Sequence, residues 1–227
     1  MEKNIYYLLM LREEQNRLLK GLINHLDLKT NVDAGGIMRT PADTYTCEDR
    51  FNLEWESFFK NHPQIIGLSG DLAEPNSFLT IEEFGSSIIA VRDSEGTFKA
   101  YANVCSHRGA QVEQEKRGTK SKFSCPFHGW TFDNNGDLVG YPKSEHFGEI
   151  DKDCYGLKEL PSLEKHGFLW VHPNADGEIN LNDLLGEKLE QEFEAWDFDR
   201  LILSNEDEYQ TEMNWKLAID TFGETYH

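Results

Sequence analysis

The chain has 227 residues, room for one large domain or for a medium domain with parts of another. Its 38% apolar content suits a soluble globular protein with a sizeable core. Acidic residues outnumber basic ones 41 to 22, and the resulting charge of −19 disfavours nucleic acid and anionic membranes as partners. Such a surplus fits a well-solvated surface; an acidic face for docking a redox partner is the more specific reading.

No apolar run approaches the ~20 residues of a membrane span. The short run at 5–11 lacks the flanks of a signal peptide, because Glu2 offsets Lys3 and Arg12-Glu13-Glu14 follows in place of a cleavage site. An amphipathic helix in a cytoplasmic protein is expected instead. The four cysteines (Cys47, Cys105, Cys125, Cys154) then read as metal ligands or free thiols, not as a disulfide framework.

Taken in chain order, residues 1–29 predict a helix, with Leu8, Leu11, Leu18, Leu19, Leu22, Ile23 and Leu26 at roughly helical spacing. It carries His25 and ends at Asp33-Ala34-Gly35-Gly36. A second helix is predicted over about 47–60, with Phe51, Trp55, Phe58 and Phe59 as an apolar stripe and Pro63 beyond its end. Strands follow at Phe78-Leu79-Thr80-Ile81, Ser87-Ile88-Ile89-Ala90-Val91 and Phe98-Lys99-Ala100-Tyr101. Asp93-Ser94-Glu95-Gly96 and Asp133-Asn134-Asn135-Gly136 read as hairpin turns, and Gly167-Phe168-Leu169-Trp170-Val171 as a later strand. Many short strands over about 62–175 predict a small antiparallel barrel or sandwich. A helix is predicted at 181–196, a polar strand at 200–212 and a final helix at 213–227 with Trp215, Ile219, Phe222 and Tyr226 on one side. The chain shows no internal repeat.

Two segments carry the chemistry: Cys105-Ser-His107-Arg-Gly109 and Cys125-Pro-Phe-His128-Gly129-Trp130. Each offers one thiolate and one imidazole in a tight loop, with Gly109 and Gly129 supplying backbone freedom. A Cys₂His₂ zinc site is the rival reading. Zinc fingers pair Cys with Cys and His with His along the chain, whereas each loop here mixes the two. Mixed loops suit a [2Fe–2S] cluster with both cysteines on one iron and both histidines on the other. Exchanging two thiolates for neutral imidazoles removes two negative charges, so the potential rises above that of an all-cysteine ferredoxin. Arg108 beside the site reads equally as a charge partner or a surface residue.

These segments resemble the Rieske domain of ring-hydroxylating (Rieske non-haem iron) oxygenases. Respiratory Rieske proteins carry an extra cysteine in each loop; Ala110 and Phe127 stand at those positions here, and Trp130 where Ser is usual. The resemblance therefore implies an oxygenase-type cluster. It extends to Asn214-Trp215-Lys216-Leu217-Ala218-Ile219-Asp220-Thr221-Phe222-Gly223-Glu224-Thr225-Tyr226-His227, similar to the helix that opens the catalytic iron site of the family. By that match His227 is the first ligand of a mononuclear Fe(II), and Glu224 is the carboxylate that links it to a cluster histidine, His128, of the neighbouring subunit. The family more often has Asp at the Glu224 position. Asp220, one turn earlier, either supports the site or faces solvent, and Thr221 stands where Asn is common.

The expected fold is α+β: a helical arm at 1–43, an all-β Rieske domain at 44–180, and the start of a catalytic domain at 181–227. The remaining ligands of that iron are expected beyond residue 227, which makes the chain a truncated, catalytically inactive part of a protein about twice as long. The resemblance implies the terminal oxygenase component, fed with electrons from NAD(P)H through a flavin reductase, a ferredoxin or both. It further implies a homotrimer or an α3β3 assembly acting with O2 on an aromatic or related small organic substrate. The alternative is a stand-alone, ferredoxin-like Rieske electron carrier. His62, His146, His166 and His172 lack a paired ligand and read as structural or surface residues, with His146 near enough in sequence to approach the cluster; Cys47 and Cys154 read as free thiols.

Overall fold

A computed structural model describes residues 11–32 and 35–223. Eleven strands form three antiparallel sheets among these residues. The middle sheet runs β5 (Arg117–Thr119), β2 (Ser77–Ile81), β3 (Ile88–Arg92), β4 (Phe98–Ala102) and β9 (Glu159–Leu160). A second sheet orders β1 (Gln64–Leu68), β11 (Phe168–Val171) and β10 (Ser162–Lys165), and a third β6 (Lys122–Ser124), β7 (Thr131–Asp133) and β8 (Leu138–Gly140). The sheets stack and do not close into a barrel.

Period-two alternation explains the stack. One face of the middle sheet sends Phe78, Ile89, Val91 and Tyr101 into a core with Phe123, Phe132 and Leu138 of the third sheet. The other face sends Leu79, Ile81, Ile88, Ala90, Phe98 and Ala100 into a core with Leu169 and Val171 of the second. Strand β3 is buried at every position because both of its faces are covered.

Both hairpin turns form as expected and share one design. Asp93 Oδ1 accepts from the backbone N–H of Glu95 and Thr97, and Asp133 Oδ1 from those of Asn135 and Asp137. Gly96 and Gly136 take the left-handed conformation (φ +86° and +79°) that such turns require.

Helices flank the sheets: α1 (Arg12–Leu28), α2 (Asp43–Thr46), α3 (Glu48–Glu54) running into a π-turn at Trp55–Lys60, α4 (Leu181–Trp196) and α5 (Trp215–Gly223). Asn180 caps α4 through the Asp183 N–H, and Gly186, at φ +69°, breaks it. No helix among the described residues is long and apolar enough to cross a membrane. Of the first predicted helix, residues 1–10 lie outside the described residues, as do Asp33 and Ala34 of its terminating stretch.

The 200–212 segment is not a strand. After a short 3-10 turn at Phe198–Arg200 it runs irregularly, and side chains hold it instead of a backbone ladder. Lys116 binds Glu208, and Arg117 reaches Glu206 at 2.8 Å. Its polar alternation suits a strand, but its backbone forms no ladder even beside the edge strand β5, and the contacts made there are side-chain ion pairs.

Candidate metal centre

Two loops carry the four candidate ligands, one following β4 of the middle sheet and one joining β6 to β7 of the third, and they share a backbone skeleton. In the first, the Cys105 N–H donates to Ala110 O and the Gly109 N–H to Cys105 O, both at 2.8 Å. In the second, the Cys125 N–H donates to Trp130 O at 2.8 Å and the Gly129 N–H to Cys125 O at 2.9 Å. Gly109 and Gly129 close these loops at φ +73° and +72°, where a side chain is strained. The repeat is one of hydrogen bonding; the residues share only Cys, His and Gly, so it does not show as a sequence repeat.

The skeleton brings the ligands together, like with like. The Cys105 and Cys125 thiols are buried and interact with each other. The His107 and His128 rings meet edge to face with centroids 4.8 Å apart. A two-plus-two grouping is what a binuclear cluster requires.

The donor atoms carry the signs of an interior metal group. His107 Nδ1 is buried without a hydrogen-bond partner, a costly state for a polar atom unless something binds it. Burial pushes the Cys105 thiol up, while the backbone N–H groups of His107 and Arg108 bond to its sulfur and pull it down. Those N–H groups are placed to stabilise sulfur carrying negative charge. Burial, with His128 and Arg108 nearby, holds His107 below its ordinary value and so in the neutral form that coordinates metal. The residues present therefore fit a [2Fe–2S] group.

Aromatic rings back the half-buried His107 and leave His128 exposed. Trp130, 3% exposed, stacks on His107, and Tyr141, Phe147 and Tyr155 pack around it with centroids at 5.6, 6.0 and 5.6 Å. Sequence reasoning did not find these three, although they cluster just after the second loop. Ser106 Oγ donates to Tyr155 O at 2.6 Å and ties the first loop to this cover. His128 is exposed beside Phe127, itself 60% exposed.

The other sequence candidates separate from the centre. His146 is exposed, its Nε2 3.6 Å from Glu145. His166 faces Glu190, His172 accepts from the Asn174 N–H, and His25 bonds Thr30. His62 is exposed. Cys47 and Cys154 are free thiols. Arg108 is the exception: its side chain is exposed, yet its backbone N–H bonds the Cys105 sulfur and its charge acts on His107. Asp220 does not simply face solvent: its Oδ2 accepts from the Tyr45 hydroxyl at 2.7 Å. Thr221 Oγ1 donates to Leu217 O within its own helix. Glu224 and His227 lie outside the described residues.

The family model of the Rieske [2Fe-2S] domain matches residues 62–161, which include all four ligands. The carnitine monooxygenase oxygenase subunit of Escherichia coli (strain K12) is 33% identical over 82% of this chain and 50% of its own length. The 2-halobenzoate 1,2-dioxygenase large subunit of Burkholderia cepacia is 29% identical over 87% of this chain and 44% of its own. A crystal structure of the apo form of the quaternary ammonium Rieske monooxygenase CntA superposes with a TM-score of 0.73 at 28% identity, covering 83% of this chain and 55% of that one. The chain contains a Rieske [2Fe–2S] domain. The similarity runs beyond that domain, through 82% of this chain in the carnitine monooxygenase oxygenase subunit and 83% in CntA. The chain spans about half the length of the curated relatives it matches.

Proposed function

We propose that this chain is the cluster-bearing part of the terminal oxygenase subunit of a Rieske oxygenase. Cys105 and Cys125 would hold one iron, His107 and His128 the other. When bound, the cluster supplies a reversible one-electron store at a potential above that of an all-cysteine ferredoxin. The carrying observation is the asymmetry of the two histidines: His107 is half-buried against Trp130 with its Nδ1 buried and unpartnered, whereas His128 is exposed.

That asymmetry gives the residues distinct tasks. Trp130 fixes one face of the His107 ring, Phe147 meets that ring edge-on, and Tyr141 and Tyr155 buttress Trp130. His128 presents its outer edge to a neighbouring subunit. There Glu224 would accept its N–H, and His227 would be the first ligand of a mononuclear Fe(II). A homotrimer or α3β3 ring follows from such a cross-subunit arrangement, and one solved relative is described by inter-subunit electron transfer. Electrons would come from NAD(P)H through a flavin reductase, with or without a ferredoxin. The reaction is hydroxylation of a small organic substrate by O2, an aromatic ring or a quaternary amine, as the names of the relatives suggest. Residues 44–180 would work as the electron module, 1–43 as an arm and 181–227 as the opening of the catalytic domain.

Iron and acid-labile sulfide analysis, with EPR of the reduced chain, tests the ligand set. Iron and sulfide in equal amounts are expected, with a Rieske-type spectrum lost in Cys105→Ser and His128→Ala. Zinc without sulfide would overturn the proposal.

A further inference from the structure

Helix α5, which leads toward Glu224 and His227, is held from a distance by segment 45–59. The Tyr45 hydroxyl donates to Asp220 Oδ2 at 2.7 Å, and Asn214 Nδ2 donates to Tyr45 O at 3.1 Å. The Trp215 indole N–H donates to Glu54 Oε2 at 3.1 Å, and Lys216 Nζ binds the same oxygen. The Glu54 and Lys216 side chains are only 14% and 17% exposed. Phe58 and Phe59 meet the Trp215 ring edge-on at 6.4 and 5.3 Å. So α5 is gripped at its first turn, by Glu54, and nearly one and a half turns later, by Tyr45 through Asp220. Two grips at different heights fix both the roll and the axial position of a helix.

The same segment is anchored to the Rieske domain on its other side. Gln64 Nε2, at the start of β1, donates to Phe58 O at 2.5 Å, and Asn174 Nδ2 donates to Asn61 Oδ1 at 3.0 Å. The turn between β2 and β3 comes so close that a side chain on Gly85 would meet Lys60 Cε at 3.1 Å. The π-turn at Trp55–Lys60 lies at this junction, with the Trp55 and Phe59 rings 4.9 Å apart.

We infer that Tyr45 and Glu54 are positioning residues that clamp α5 to the Rieske domain and fix its roll and axial position. The inference rests on the functional reading above. Neither residue touches the reacting atoms. Hydrogen bonding explains their own states: Asp220 raises the Tyr45 hydroxyl and Lys216 lowers the Glu54 carboxyl, so the pair stays neutral hydroxyl and carboxylate, as the bonds require.

The test has two arms. In the 227-residue chain, amide exchange of α5 is followed in Tyr45→Phe and Glu54→Gln. Protection at residues 217–221 is expected to fall about fivefold in the first variant. It is expected to fall about tenfold in the second, which loses a charge-assisted bond. Amides of β2, β3 and β4 serve as the folding control and should exchange as in the unaltered chain. Unchanged α5 protection in both variants overturns the clamp, whatever the activity. In the oxygenase subunit carrying both metal sites, the EPR signal of the ferrous–nitrosyl adduct of the mononuclear iron should weaken or broaden severalfold in both variants, with the reduced-cluster spectrum unaltered. An unaltered nitrosyl signal in variants that have lost α5 protection overturns the positioning role. No nitrosyl signal even in the unaltered subunit refutes the functional reading, and the exchange arm then judges the clamp by itself.

Discussion

The indole of Trp130 lies flat on the imidazole of His107, with ring centroids 4.8 Å apart and planes 7° from parallel. A stacked ring holds a ligand by shape, so the orientation of His107 is set before any metal arrives. Trp130→Ala opens a cavity in the core beside Phe132 and Leu138. A loss of about 3–5 kcal/mol is expected in denaturant unfolding. The iron retained after gel filtration should fall with it; a variant that keeps both stability and iron would contradict the assigned role.

Gly109 and Gly129 sit in equivalent positions but should respond differently. An alanine at 109 meets open space and suffers only the left-handed backbone, a cost of about 1–2 kcal/mol. At 129 the new carbon also meets Pro142 Cγ at 3.0 Å. Thermal unfolding of the two alanine variants should therefore rank Gly129→Ala below Gly109→Ala.

Asn103 closes the base of the first loop. Its Oδ1 accepts from the N–H groups of Val112 and Glu113 at 3.0 and 2.9 Å, and its Nδ2 donates to Glu113 O at 2.7 Å. At 1% exposure, no water replaces a lost partner. Asn103→Ala is expected to destabilise by about 2–4 kcal/mol in urea titration, whereas Ser87→Ala, which removes one weaker bond to the same amide, should cost far less.

Arg92 and Glu164 join strand β3 to strand β10 through a two-pronged ion pair, one prong at 2.9 Å. The guanidinium holds the Glu164 carboxyl below its ordinary value of 4.5, against a smaller opposing effect of burial. A depressed carboxyl stabilises the fold above its unfolded value and loses that contribution as pH falls through the folded one. Stability should thus decline from about pH 4.5 downward. Glu164→Gln should be less stable near neutrality and show a shallower acid limb in unfolding followed by circular dichroism.

The parts of the site legible in the sequence are those built from neighbours in the chain. Cys105, His107, Cys125 and His128 lie in short loops closed by Gly109 and Gly129, and the hairpins at Asp93–Thr97 and Asp133–Asp137 are made by near neighbours in the chain. The grip of Tyr45 and Glu54 on α5 was not legible, because those partners lie 161 to 175 residues apart and nothing local marks them. The segment at 200–212 failed for the opposite reason. Its local pattern suits a strand, but its backbone pairs with no neighbour, and Lys116 and Arg117 hold it through side-chain charges instead. The aromatic stripe of Phe51, Trp55, Phe58 and Phe59 was rightly read as packing, yet what it packs against is the final helix.

The two cluster loops are near copies in backbone, but their histidines are not at matching positions. His107 follows its cysteine by two residues and His128 by three. On one repeated frame, that single-residue offset turns one imidazole inward against Trp130 and the other outward past Phe127. A duplicated loop would by itself give a centre with no front and no back. The displaced histidine gives it polarity, so traffic at the site has a preferred door.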